Sequence, residues 1–504
     1  MDQSRTKNSF RNIFFSLANQ LITILLGFVN RSVFIWTLGV GYLGISGLFS
    51  DILTMLSLAD LGFGVALTYS MYKPLAEKDY DRLAALTGLY RRVYRIIALA
   101  VTLIGLALVP FLKYLINLKH PIPHITLYYL MFLANTVASY LVVYKTSILT
   151  ADQKDYLLKK YQSIFSIGST ACMTIFLLLT HSYFIYLLIQ VIFTYSQNFY
   201  SSYVAEKQYP FIKKHVSMPI KEVKEIFKNL YSVFLYKISG VLLNATDNTI
   251  ISIMIGTGMV GYYSNYSMIT LQVTNLVNTI FYSLTASLGN LVVREKAHRR
   301  YQVFKAIQSV SDIFSSICTA CLFLLFQDLI HVWLGNHFLL SNITLLAIIC
   351  NFYLGVILLP IWIYREATGL YQQTKYVMVV TAVINLILSC LMAKIMGVAG
   401  ILFASVIARL LTYFWYEPVL LFKNYFNTSS LFYFLNILKN ILLTAIVIYI
   451  SKFLFGKLIV NNWVMLFIKA FSIGLLSLMI TILSYWKTEG IKIILRKIKD
   501  LKKI

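Results

Sequence analysis

Apolar stretches of about 20 residues, the length an α-helix needs to cross the hydrocarbon core of a bilayer, follow one another along this chain from end to end. To within a few residues they run over 12–37, 42–69, 94–116, 125–149, 161–180, 183–204 and 229–255, and then over 259–291, 304–326, 342–364, 376–397, 398–421, 440–456 and 464–485. They predict an all-α integral membrane protein with about fourteen transmembrane helices. At 59% hydrophobic and 12% charged residues, with a mean hydropathy of +0.74, the chain is too apolar for a soluble fold.

Lys and Arg set the orientation, because loops on the cytoplasmic side retain them. With the N-terminus inside, 35 of the 44 fall in inner loops and tails. Five (Lys113, Lys119, Lys394, Lys452, Lys457) fall at outer ends, and four (Arg31, Lys237, Arg409, Lys469) inside spans. Both termini are therefore expected in the cytoplasm. The net charge of +25 then reports attraction to anionic headgroups, and no nucleic-acid partner is expected. The first window carries Gln20, Asn30 and Arg31 and reads as a span rather than a cleavable leader. The five cysteines lie in or beside apolar spans, so Cys318 and Cys321, although spaced CxxC, read as packing residues, and no metal or cofactor is expected.

An internal repeat appears when residues 20–50 are laid on 237–267, at an offset of 217. Leu38-Gly39-Val40-Gly41-Tyr42-Leu43-Gly44 meets Ile255-Gly256-Thr257-Gly258-Met259-Val260-Gly261, and Asn30-Arg31-Ser32 meets Asp247-Asn248-Thr249. Both copies spell GxGxxG, but a dinucleotide site needs that motif between a strand and a helix, whereas here it joins two membrane helices. Glycine serves a tight turn instead. The constant offset implies two parallel six-helix lobes around a central cavity. The expected organisation is an N-terminal lobe over 1–205, a basic linker over 206–228, a C-terminal lobe over 229–422, helices 13 and 14 over 423–486, and a tail over 487–504. Nothing in the sequence assigns a role to helices 13 and 14.

Charges near mid-bilayer cost at least ~2.5 kcal/mol, so helices carrying them turn them toward a cavity or a partner. On the first helix Ser16, Gln20, Thr23, Gly27 and Arg31 share a face, and on the seventh Lys237, Gly240, Asn244 and Asp247 do. Helix eight adds Asn265, Gln272, Asn275 and Thr279, helix two adds Asp51 and Asp60, and helix twelve adds Arg409. The candidate cavity residues are Arg31, Lys237, Arg409, Gln20, Asn244, Gln272 and Asn275. Asp51, Asp60 and Asp247 are candidates either for coupling to a proton or sodium ion or for neutralising those cations. Lys469, outside the repeat, is expected to face headgroups or a helix partner. Asp79-Tyr80-Asp81 has the form of a glycosyltransferase DxD, but it sits in a short charged loop and reads as a solvated turn. In the tail Ile491, Ile494, Leu495, Ile498 and Leu501 share a helical face opposite Lys and Arg, which predicts a basic amphipathic helix on the membrane surface.

The stretch Arg31-Ser32-Val33-Phe34-Ile35-Trp36-Thr37-Leu38-Gly39 and its continuation GYLGISGLFSDILTMLSLADLGFGVALTYSMYKPLAEKDYDRL resemble the opening of Wzx-type bacterial polysaccharide flippases, within the multidrug/oligosaccharidyl-lipid/polysaccharide exporter superfamily. DNTIISIMIGTGMVGYYSNYSMI (Asp247 to Ile269) and ARLLTYFWYEP (Ala408 to Pro418) resemble that family as well. The resemblance implies a substrate of undecaprenyl pyrophosphate carrying an oligosaccharide repeat unit, moved by alternating access from the inner to the outer leaflet of the bacterial cytoplasmic membrane. The product would serve capsule, O-antigen or other surface polysaccharide, with membrane lipids and the polymerase and export machinery as partners. It also implies a pyrophosphate held by cavity cations, with Arg31 at a first-helix basic position and Lys237 and Arg409 as further matches. A multidrug cation antiporter of the same superfamily and a flippase for the peptidoglycan lipid precursor are the rival readings. No enzymatic activity is expected, since outer loops of no more than about 16 residues leave little room for a catalytic domain.

Overall fold

The structure, a computed structural model, describes residues 2–57, 63–118, 121–214 and 216–501. Among them every regular element is helical. The order begins α1 (Asp2–Leu38), α2 (Val40–Leu56), α3 (Phe63–Glu77), α4 (Tyr80–Leu108), α5 (Leu112–Leu115), α6 (Ile125–Tyr140), α7 (Val143–Ala151), α8 (Asp155–Thr180), α9 (Tyr183–Gln208), α10 (Ile220–Ala245) and α11 (Asp247–Met254). It continues with α12 (Thr257–Tyr282), α13 (Thr285–Arg294), α14 (Ala297–Leu334), α15 (Asn342–Ile357), α16 (Leu359–Thr368), α17 (Tyr371–Met396), α18 (Val398–Leu411), α19 (Tyr413–Leu421), α20 (Leu431–Phe455), α21 (Trp463–Tyr485) and α22 (Glu489–Leu501).

The chain is a multi-pass, all-α membrane protein. Eight helices are long and apolar enough to cross a bilayer, and α6 with α7 (bent by 47°) and α15 with α16 (bent by 43°) raise the number to ten among the described residues. The second bend falls where Pro360 enters the first turn of α16 without an N–H to give. Length and apolarity thus establish fewer spans than the fourteen windows. The described residues of the other four windows are largely helical too, falling on α2 and α3, α9, α10 with α11, and α12. α9 and α12 are 26 residues long and fall short on apolarity, diluted by residues such as Gln197 and Asn198 or Gln272 and Asn275. Large side chains such as Phe453 (77% exposed) and Leu483 (75%) stand on the outer faces of the helices, where only lipid could cover them without penalty.

Helical contacts divide the chain into two compact units, Met1–Gly261 and Tyr262–Ile504. In the first, α1 lies along α8 and is stitched to it by asparagines: Asn19 Oδ1 accepts from Ser163 Oγ at 2.9 Å, and Asn12 Oδ1 accepts from the Tyr156 amide at 2.7 Å. Its core is rich in tyrosine, with Tyr90, Tyr94 and Tyr129 fully buried and the Tyr129 hydroxyl donating to the Gly105 carbonyl at 3.0 Å.

In the second unit α14, 38 residues and so about 57 Å long, is the central strut. α15, α20, α21 and α22 all pack on it. Asp312, 1% exposed, accepts from Gln308 Nε2 at 2.9 Å and from Asn436 Nδ2 at 2.6 Å. Asn440 of α20 donates to the Asp312 carbonyl (2.9 Å), to Ser316 (3.0 Å) and to Tyr485 of α21 (3.1 Å), and accepts from Tyr353 (2.8 Å) and Ser315 (3.2 Å). Nearer the other end of α14, Lys469 Nζ meets Asp328 at 2.8 Å. The helix-partner reading of Lys469 is the one observed. Helices 13 and 14 of the sequence count, α20 and α21, are thereby bound to α14 by buried hydrogen bonds and a charge pair rather than by hydrocarbon contact alone.

Candidate functional site

In the first unit, the candidate site grows from neighbouring residues of α1. Asn30 Nδ2 donates to the Tyr186 hydroxyl of α9 at 2.7 Å, and the Arg31 guanidinium lies within electrostatic reach of the same hydroxyl. Tyr186 packs edge-on to Phe34 (5.1 Å between ring centres) and beside Tyr183 (6.2 Å). Tyr183 then meets Tyr42 of α2 (5.0 Å), Tyr128 of α6 (4.7 Å) and the Ser46 hydroxyl (2.7 Å). Helices α1, α2, α6 and α9 therefore converge on one aromatic cluster, and Arg31 stands at its edge, half-buried. A cation set among rings and hydroxyls away from bulk water attracts an anion more strongly than a surface cation does. Arg adds paired donors that match phosphate oxygens.

Asp51, half-buried on α2, takes hydrogen bonds from both the side chain and the backbone N–H of Asn248, at the start of α11. Asn248 is the counterpart of Arg31 in the 217-residue repeat. Where one copy carries the cation, the other carries an amide that holds a carboxylate. Asp247 is half-buried beside it, and Asp247, Gln20 and Arg31 each make a polar or electrostatic contact within the molecule. Lys237 and Asn244 lie on α10, and their side chains fall outside the described residues, as does Asp60 altogether.

The glycine motifs do what a tight crossing requires. A Cβ on Gly44 would stand 2.0 Å from the Thr257 carbonyl oxygen, and one on Gly261 would stand 2.4 Å from the Val40 carbonyl oxygen. The turn before α12, where Gly256 has φ +139°, is clasped to residues 115–117. The Thr257 amide donates to the Asn117 carbonyl (2.7 Å), the Asn117 amide to Thr257 Oγ1 (2.8 Å), and Ser252 Oγ to the Leu115 carbonyl (2.7 Å).

In the second unit the polar face of α12 runs from a fully buried Asn265 through a half-buried Gln272 to exposed Asn275 and Thr279. Arg409 is 9% exposed on α18, close to Tyr413, and it and Gln272 also make contacts within the molecule. The sequence reading placed Arg365 in an inner loop. It lies instead inside the fold on α16, where Nη1 meets both oxygens of Glu417 of α19 at 3.1 and 3.0 Å with both side chains almost fully buried. Asp312, a further buried charge of this unit, is not among the residues that the sequence singles out. Its signal was present in the spacing of Gln308, Asp312 and Ser316 on one helix and of Asn436, Asn440 and Thr444 on another.

Residues 9–285 match the profile of the family described as polysaccharide biosynthesis protein. No curated protein sequence matches the chain. Among solved structures, the lipid II flippase MurJ in an inward closed conformation superposes with a TM-score of 0.70 at 16% identity, covering 94% of this chain and 99% of that one. A mutant of the Vibrio cholerae MATE transporter VcmN gives 0.58 at 17% identity, covering 84% and 99%. An inward-facing multidrug resistance MATE family transporter of the MOP superfamily gives 0.58 at 11% identity, covering 80% and 96%. The chain shares the fold of these proteins.

Proposed function

We propose, from the premise that this chain belongs to the polysaccharide biosynthesis protein family, that it is a flippase for polyprenyl-pyrophosphate-linked oligosaccharide repeat units. The observation that carries the reading is Arg31, inside the family-matched segment and at the edge of the aromatic cluster of α1, α2, α6 and α9. A diphosphate crossing a low-dielectric region needs fixed positive charge, and Arg31 supplies it. Tyrosine and asparagine side chains nearby suit sugar hydroxyls. The likeness of fold to a lipid II flippase adds support for a lipid-linked cargo.

In this reading the head group crosses by alternating access while the polyprenyl tail stays in lipid, and no covalent bond is made or broken. The chain sits in the bacterial cytoplasmic membrane with both termini inside, as the excess of basic residues in inner over outer segments supports. It works beside the polymerase and export machinery of capsule, O-antigen or another surface polysaccharide. Arg409 and Lys237 are further candidates for the pyrophosphate, Gln20, Asn244, Gln272 and Asn275 for the sugars, and Asp51, Asp60 and Asp247 for coupling to a proton or sodium ion or for charge pairing.

The test is reconstitution in liposomes with a labelled oligosaccharide on polyprenyl pyrophosphate, scored for change of leaflet. Transport is expected in the wild type, with Arg31→Ala reduced at least tenfold and Arg31→Lys in between. Movement of the peptidoglycan lipid precursor alone would reassign the cargo. Export of an organic cation without any lipid-linked sugar would overturn the flippase reading.

A further inference from the structure

Beneath α22, with none of the residues proposed for transport in its lining, lies a cavity of about 290 Å³. Its walls include Phe281 and Leu284 of α12 and the turn after it, Leu288 of α13, Ala306 and Val310 of α14, and Ile494 of α22, and every lining side chain is hydrocarbon. Apolar cavities of roughly 150 Å³ stay dry and take up guests of benzene size. This one is nearly twice as large and open on one side, so at the membrane its apolar lining suits a hydrocarbon chain entering from the bilayer.

The wall supplied by α22 is a fixed part of the unit. Gly490 lies so close to α14 that a Cβ would stand 2.2 Å from Ser309 Oγ and 2.4 Å from the Lys305 carbonyl oxygen. Glu489 pairs with Lys305, whose ammonium also sits 4.6 Å from the Tyr301 ring centre. On the same helix Ile493 and Ile494 line the cavity, while Lys492 and Arg496, one turn apart, are exposed. A helix of this kind lies with its apolar face about 5–10 Å into the boundary between headgroups and acyl chains. That depth sets the cavity among acyl chains and the two cations among phosphates. Basic residues at this level favour anionic lipid.

We propose that this cavity binds one acyl chain of an anionic membrane phospholipid, whose phosphate is met by Lys492 and Arg496. The site holds a lipid of the surrounding bilayer, not the transported cargo. α22, held on α14 by Gly490 and the Glu489–Lys305 pair, is then one wall of a lipid site.

The full-length protein, stripped of lipid in detergent, is offered phosphatidylglycerol or phosphatidylcholine with matched 16-carbon chains, and retained lipid is counted by native mass spectrometry. One phosphatidylglycerol is expected to be retained at least tenfold more strongly than phosphatidylcholine. Ala306→Phe, which fills the cavity, is expected to lower retention tenfold or more, and the pair Lys492→Gln with Arg496→Gln to bring the two lipids within twofold. A measurement on the wild type guards against misfolding of these variants: phosphatidylglycerol with eight-carbon chains is expected to bind at least tenfold more weakly than the long-chain form. Retention independent of headgroup, of chain length or of Ala306→Phe in a folded protein overturns the proposal, as does finding a polyprenyl lipid in the cavity.

Discussion

Gly44 and Gly261 occupy equivalent positions in the two copies of the 217-residue repeat, and the backbones that carry them pack against each other. An added Cβ on Gly44 would come 2.0 Å from the Thr257 carbonyl oxygen, and one on Gly261 would come 2.5 Å from Val40 Cγ1. The motif that the sequence shows twice is therefore a single crossing built from both copies.

That crossing predicts a sharp cost for a single methyl group. Gly44→Ala must displace backbone rather than a flexible side chain, and overpacking of this kind costs about 1–3 kcal/mol. Thermal melting in detergent should show the loss for Gly44→Ala and Gly261→Ala. Gly474→Ala on α21, where a Cβ meets nothing within 4 Å, should melt with the wild type or slightly above it.

The Arg365–Glu417 pair makes a different prediction. Removing one partner leaves a buried charge uncompensated, at a cost of about 3–5 kcal/mol, whereas replacing both by well-packed apolar residues is often close to neutral. Arg365→Met and Glu417→Leu should each melt far below the wild type, and the double variant should recover most of the loss. Additive losses would mean that the pair is not coupled.

Asn440 is the hub of the contacts that hold α20 and α21 on α14. Asn440→Leu removes the amide that donates to the Asp312 carbonyl, Ser316 and Tyr485 and leaves the Tyr353 hydroxyl without its acceptor, while Ser315 keeps the Asp312 carbonyl. Each buried group so orphaned costs about 1–3 kcal/mol. Hydrogen exchange should rise over residues 431–485 and stay unchanged over 155–208. A uniform rise would show that α20 and α21 do not open as a separate unit.

Outside the spans, Glu206 accepts from Lys145 at 2.5 Å and lies 3.2 Å from Lys213. The hydrogen bond from Lys145 is the largest influence and holds the carboxyl below its ordinary value of 4.5, against a smaller opposing effect of burial. A depressed folded value means that the stabilisation is complete above pH 4.5 and is lost as pH falls through the folded value. The melting gap between wild type and Glu206→Gln should therefore be constant from pH 7 to about pH 5 and close on further acidification.

The membrane class was legible because 20-residue apolar runs need no tertiary context, and the repeat was legible because glycine spacing survives where side chains diverge. What the sequence could not give was pairing. Arg365 read as a loop cation because it follows an apolar run, and only the return of α19 brings Glu417 to it. Asp312 sat inside an apolar window whose average concealed it, and its partner amides lie 124 and 128 residues away. Of the candidate site, Arg31 was legible as a charge on a polar helix face, whereas the meeting of Asn30 and Arg31 with Tyr186 of α9 was not. The aromatic cluster behind them, drawn from four helices, has no signature in any one of them.

The dependence of α14 on α20 and α21 limits how this chain could be shortened. Cut after residue 422, the chain would still hold both copies of its repeat, yet Asp312 would lose the amide of Asn436 and face hydrocarbon, and Asp328 would lose Lys469. α20 and α21 thus cover the charges of α14, and an engineered minimal form without them would need an apolar residue at position 312.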